Sequence, residues 1–185
     1  MKTKIVLIAS VLFVFATSCK DKDKKEETAE QPAKAVKENF SVELDIAASK
    51  KDDFTLYYTE DNTISFTGEM ALWHGVQGDN KREKIIFDLS EEKIPTAIRL
   101  DFGMNKGQEM VEIYNVKISY YGNELSINGS DFFKYFIESK DFKTEMDIQN
   151  NALKILKNGS EYKTPFYYPR QELIDAIKKL TTTTK

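Results

Sequence analysis

Cysteine occurs once in the 185 residues, and so do histidine and tryptophan. A lone thiol closes no disulfide within the chain, so stability has to come from packing. One histidine, one cysteine and no cluster at ligand spacing leave catalytic triads and zinc hydrolysis without their usual parts. Glycine is sparse, at 8 residues, and forms no phosphate-cradling loop. No apolar run exceeds Ile5 to Ala16, a helix of about 18 Å, against the roughly 30 Å hydrocarbon core that a permanent span must cross. Basic residues number 27 against 30 acidic ones, giving a formal charge of −3, so the chain lacks the electrostatic footprint of a nucleic-acid binder.

The N-terminus carries what the rest lacks. Lys2 and Lys4 precede the apolar run, and the small residues Thr17 and Ser18 stand before Cys19, the order of a cleavable export signal. Ala16-Thr17-Ser18-Cys19 resembles the lipobox of a bacterial lipoprotein signal, although that pattern prefers leucine where Ala16 stands. The resemblance implies acylation of Cys19, membrane attachment through it and removal of residues 1–18. Because Lys20 rather than aspartate follows the cysteine, it further implies lipid anchoring in the outer membrane of the cell envelope, with the facing left open. Loss of Lys2 and Lys4 takes the formal charge from −3 to −5. From Cys19 to Glu38 the chain alternates lysine with acidic residues and has no aromatic side chain. Such a stretch cannot offset its ordering entropy and reads as a disordered tether.

From residue 39 the pattern changes to period-two alternation. Phe40, Val42, Leu44 and Ile46 alternate with Ser41, Glu43 and Asp45, and Phe54, Leu56 and Tyr58 with Thr55, Tyr57 and Thr59. Asp61-Asn62 then turns into a long strand expected over Thr63 to Trp73, with Gly68 as a bulge or a bend. Ile85, Phe87 and Leu89 continue the series, followed by Ile98, Leu100 and Phe102. Glu109 to Tyr121 changes apolar phase, which a bulge near Asn115 reconciles. Gly122-Asn123 signals a hairpin into Leu125 and Ile127, and Asn158-Gly159 another, joining Leu153–Leu156 to Tyr162–Phe166. Helices are expected from Ser130 or Asp131 through Ile137, and from Pro169 to Leu180, with residues 181–185 frayed. Asn128-Gly129-Ser130 and Asn158-Gly159-Ser160 match the glycosylation acceptor and are read as turns.

Many short strands with two helices define a mainly β chain, an antiparallel β-sandwich of jelly-roll type over residues 39–180. Three short segments, Asp53–Tyr58, Ala97–Phe102 and Val116–Tyr120, resemble the galactose-binding-like, carbohydrate-module type of sandwich. That resemblance implies sugar binding and assigns no ligand residue.

Candidate binding residues come from composition. Trp73, His74, Gln77, Asp79 and Asn80 lie in a segment read as a loop at the strand end, where an indole can stack on a sugar and polar groups meet its hydroxyls. The competing reading puts Trp73 in the core. Tyr57 and Tyr121 are expected to face outward, lining a groove or pairing across strands. Asp52-Asp53 and Asp79-Asn80 are candidates for a structural calcium site, though no EF-hand pattern is present; otherwise no cofactor is expected. The sequence leaves three functions open: a non-catalytic module for carbohydrate or glycan, a docking or assembly subunit for an envelope protein, and a hydrolase using paired carboxylates. With no catalytic motif, the first is the expectation.

Overall fold

A computed structural model describes residues 38–161 and 163–182. The signal at 1–18, Cys19, the tether up to Lys37 and the tail beyond Thr182 lie outside the described residues. Two antiparallel sheets form a β-sandwich. One has the order β4–β1–β6–β9–β8, with β7 also paired to β6; the other runs β10–β5–β2–β3. The strands are β1 (Ser41–Ala48), β2 (Asp52–Thr59), β3 (Ala71–Val76), β4 (Arg82–Asp88), β5 (Ala97–Phe102), β6 (Met110–Tyr120), β7 (Asn123–Asn128), β8 (Lys143–Asp147), β9 (Ala152–Leu156) and β10 (Phe166–Tyr167). Alternation explains the layers. Val42, Leu44 and Ile46 of β1 are buried against Phe54 and Leu56 of β2 and Ile98 and Leu100 of β5 in one apolar cluster, while Glu43 and Asp45 point away. No helix among the described residues is long and apolar enough to cross a membrane.

The phase change in β6 is the expected bulge. Asp45 pairs with Asn115 and Ile46 with Ile113, so Tyr114 is the extra residue. Before it β6 pairs with β9, and after it with β7. The β6–β7 hairpin turns at Tyr121 and Gly122, one residue earlier than the sequence suggests. Both have positive φ, 46° and 78°, as the favoured two-residue hairpin requires.

Several expectations need correction. Residues 63–67 are not strand, because Thr63 is drawn into the turn: its carbonyl accepts from Thr59 Oγ1 at 2.7 Å, and its N–H donates to Asp61 Oδ1 at 3.1 Å. Gly68 begins a short 3₁₀ turn, not a bulge, and β3 starts only at Ala71. Asn158-Gly159 does not close a hairpin. β9 pairs with β6 and β8, whereas β10 crosses to the other sheet and pairs with β5. The first helix is a 3₁₀ turn over Gly129–Asp131 running into the single turn α1 (Phe132–Tyr135). The second, α2 (Gln171–Thr182), buries Leu173, Ile177 and Leu180 as expected and continues through Thr182 rather than fraying at Thr181.

These short elements close one end of the sandwich with aromatic rings. Phe132 stacks on Phe136 with centroids 4.5 Å apart and meets Tyr167 edge-on at 5.2 Å; Tyr167 also contacts Phe102 at 5.8 Å. Phe102, Phe132, Phe136 and Tyr167 are all fully buried. The Tyr167 hydroxyl has no hydrogen-bond partner, and burial pushes its pKa up. A buried unpaired hydroxyl costs about 1–3 kcal/mol. Tyr167→Phe therefore raises the unfolding free energy by about 1 kcal/mol in urea titrations; a loss of stability would show that the hydroxyl is satisfied after all.

Beside Phe102, where β5 ends, a polar network joins the β1–β2 turn to the loop after β5. Asp52, 8% exposed, accepts through Oδ1 from the N–H groups of Asp53 (2.9 Å) and Met104 (2.8 Å), and shares that of Asn105 between its oxygens at 3.1 and 3.2 Å. Gln108 Nε2 donates to Asp52 Oδ2 at 3.2 Å, and Gln108 Oε1 accepts from Ser49 Oγ and the Lys50 N–H at 2.7 and 2.9 Å. Gly103 is required beside it: φ is +95°, and a Cβ there would run into the Asp52 carboxylate.

Candidate binding face

The two outward faces of the sandwich differ in kind. Over the larger sheet, charged side chains pair across strands. Lys84 meets Glu43 at 2.8 Å, Lys117 lies 3.7 Å from Glu43 and 3.8 Å from Glu124, and Arg82 contacts Asp45 at 2.7 Å. The hydrogen bond from Lys84 holds the Glu43 carboxyl below its ordinary pKa, although burial opposes it. Glu112 and Asp147 converge on Lys154 at 3.0 and 3.4 Å, so this acidic pair is held by a shared ammonium rather than left to exchange a proton. Exposed pairs of this sort contribute little each, about 0–1 kcal/mol, and mark a solvated face.

The four-stranded sheet presents aromatic rings instead. Register places Phe166 opposite Asp101, Asp101 opposite Thr55, and Thr55 opposite Trp73, one outward-facing row across β10, β5, β2 and β3. Phe166 is 48% exposed and Trp73 54%. The next row sets Arg99 opposite Tyr57 and Tyr57 opposite Ala71. Strand periodicity explains why these residues share a face: Arg99 and Asp101 are two apart on β5, as are Thr55 and Tyr57 on β2.

Arg99 is the centre of this face. Its guanidinium carbon lies 4.2 Å from the Tyr57 ring centroid, 5.4 Å from Tyr168, 5.6 Å from Phe166 and 5.7 Å from Phe66. Its Nε and Nη2 donate to the two Asp101 oxygens at 2.8 Å each, a bidentate pair. Burial is the largest influence and works against the Arg99 charge, but the Asp101 hydrogen bonds, the Asp101 charge and Tyr168 together outweigh it, leaving its pKa above the ordinary value. For Asp101 burial is also the largest influence and pushes its carboxyl up, with Arg99 opposing. Two short parallel contacts favour the ionised pair near neutral pH. Phe66 also contacts Tyr168, with centroids at 5.6 Å, so the non-strand segment 63–67 lies against this face beside the Arg99 row.

No known protein family, curated protein or solved structure matches this chain.

The structure divides the residues singled out from the sequence. Trp73 and Tyr57 meet on the aromatic face, and the exposed indole rules out the core reading of Trp73. Trp73 is a strand residue as expected, and the strand continues through His74 to Val76 rather than ending at Trp73; alternation sends the two side chains to opposite sides, and His74 packs against the Phe87 ring at 6.1 Å. Gln77, Asp79 and Asn80 form the β3–β4 turn, with positive φ at Asp79 and Asn80 and the Asn80 N–H bound to the Ala48 carbonyl at 2.9 Å. Tyr121 sits on the β6–β7 turn of the other sheet, 41% exposed beside Tyr120. As for calcium, the Asp52 oxygens are taken up by protein donors, and no group of three or more His, Cys, Asp or Glu side chains among the described residues is placed to hold a metal.

Arg99, Asp101, Phe66, Phe166 and Tyr168 did not emerge as site residues from the sequence. One signal was available, since the Arg-x-Asp spacing on an alternating strand puts both charges on one face. A cavity of about 20 Å³ near Phe142, Leu156 and Pro165 holds roughly one water and no larger ligand.

Proposed function

We propose that this chain is a lipoprotein tethered through Cys19 to the outer membrane, whose β-sandwich is a non-catalytic module that binds carbohydrate on the outer face of its four-stranded sheet. The observation that carries the reading is the contrast between the faces: one is covered by mutually paired charges, the other by exposed rings around a neutralised Arg99. Exposed aromatic area of this kind loses free energy to water unless a ligand covers it, and a ring flanked by hydrogen-bonding groups suits the apolar face and hydroxyls of a sugar. The anchor would hold that face within one tether length of the membrane.

Trp73 is the only indole in the chain, so its fluorescence reports this face alone. Titration on a glycan panel is expected to shift its emission with at least one class of glycan, and Trp73→Ala should lower affinity by about tenfold or more. An emission spectrum unmoved by every glycan on the panel would remove the proposal.

A specific observation favours a second reading, docking of an envelope protein. The edge strand β8 leaves Met146 42% exposed, and the following Ile148 is 86% exposed, an open edge suited to strand addition. Crosslinking in intact cells through Ile148 distinguishes this reading, because a glycan module needs no stoichiometric protein partner there.

A further inference from the structure

The aromatic face also carries information about the charge and length of its ligand. Resting on the carbohydrate reading, we infer that the ligand is an uncharged oligosaccharide lying across the strands from Phe166 to Trp73.

Charge is argued from Arg99 and Asp101. The only ionised groups on the two register rows bind each other in a bidentate pair, with side-chain exposures of 17% and 13%. An anionic sugar would have to draw Arg99 away, leaving the Asp101 carboxylate largely buried without its partner, a strongly unfavourable outcome. A cationic ligand meets an aromatic box already filled, since four rings surround the guanidinium within 5.7 Å. An uncharged ligand leaves the pair intact and can still be read by its remaining donors and acceptors.

Length is argued from the register. Phe166 and Trp73 end one row that crosses four strands, and three inter-strand spacings of about 4.8 Å separate them by about 14 Å. Between the two rings lie Asp101, whose oxygens are both held by Arg99, and Thr55, which is 3% exposed, so the two rings are the main contacts along this row. A single sugar covers one ring only. An oligosaccharide spanning the row covers both, and the second contact is intramolecular once the first is made.

Calorimetry and Trp73 fluorescence would be run on the mature chain with a ladder of neutral gluco-, manno- and galacto-oligosaccharides, disaccharide to hexasaccharide, beside oligogalacturonates and sulfated oligosaccharides. The expected result is binding of a neutral series, with affinity rising about tenfold or more between the short oligomers and those long enough to reach both rings. That affinity should change less than twofold between about 0.05 and 0.5 M salt. Phe166→Ala and Trp73→Ala should each abolish the length step while leaving residual affinity for the short oligomers, a pattern that misfolding would not give. Preferential, salt-sensitive binding of the acidic oligomers that still shifts Trp73 would overturn this inference and leave the carbohydrate reading standing. So would neutral binding without a length step. Silence across the whole ladder, neutral and acidic, would overturn both.

Discussion

Replacing Phe132 with alanine lowers the unfolding free energy by about 3–5 kcal/mol. Phe132 is fully buried where the end-closing segment meets both sheets, in ring contact with Phe102, Phe133, Phe136 and Tyr167 at 4.5 to 6.4 Å. Truncation removes the buried ring area and also leaves a void. The void cannot collapse easily, because two of the lining rings, Phe102 and Tyr167, belong to paired strands and are held by the register of β10 on β5. Each aromatic pair adds about 0.5–1.5 kcal/mol beyond its buried area. Phe133→Ala is the control, since that ring is only half-buried and should cost markedly less. Urea titration of both variants decides the point; a Phe132→Ala loss below about 1.5 kcal/mol would mean the rings repack.

Asp52→Ala is expected to cost about 3 kcal/mol or more, by a different route. A hydrogen bond to a charged acceptor contributes about 1.5–3 kcal/mol. Here one carboxylate serves three backbone N–H groups and the Gln108 amide. Removing it strands those donors in a site where Asp52 is 8% and Gln108 5% exposed. Asp52→Asn should not rescue fully. Its carbonyl can face the backbone donors, but its amide then faces Gln108 Nε2, donor against donor. Gln108 cannot turn over without losing the contacts its Oε1 makes with Ser49 and Lys50. The stability order wild type, then Asn, then Ala, measured by denaturant titration, checks the network. Equal stability of all three would show that water replaces the carboxylate.

Both sites show how far the sequence could be read. β1, β2, β4 and β5 were legible because each turns one apolar face into the core and a more polar face away from it, which stamps alternation into the residues, and the break in that alternation revealed the bulge in β6. β8 was not legible. As an edge strand it has exposed or half-buried side chains on both faces, so Lys143 to Asp147 carries no periodic signal. Residues 63–67 misled for the opposite reason, because Ile64 and Phe66 alternate with polar residues although the backbone there pairs with no strand. Asn158-Gly159 signalled a turn correctly and said nothing about which strand lay beyond it. Of the candidate face, Trp73 stood out by rarity. Its companions Arg99, Phe166 and Tyr168 come from distant segments, and only the order β10–β5–β2–β3 brings them together.

The extra residue Tyr114 has one more consequence. It divides β6 into a half that supports β9 and β8 and a half that supports β7. Hydrogen exchange is expected to follow that division, with the β8–β9 amides protected to a different degree from those of β7; equal protection of the two arms would count against it. The aromatic face belongs to the other sheet, so exchange in that arm would report on a region apart from it.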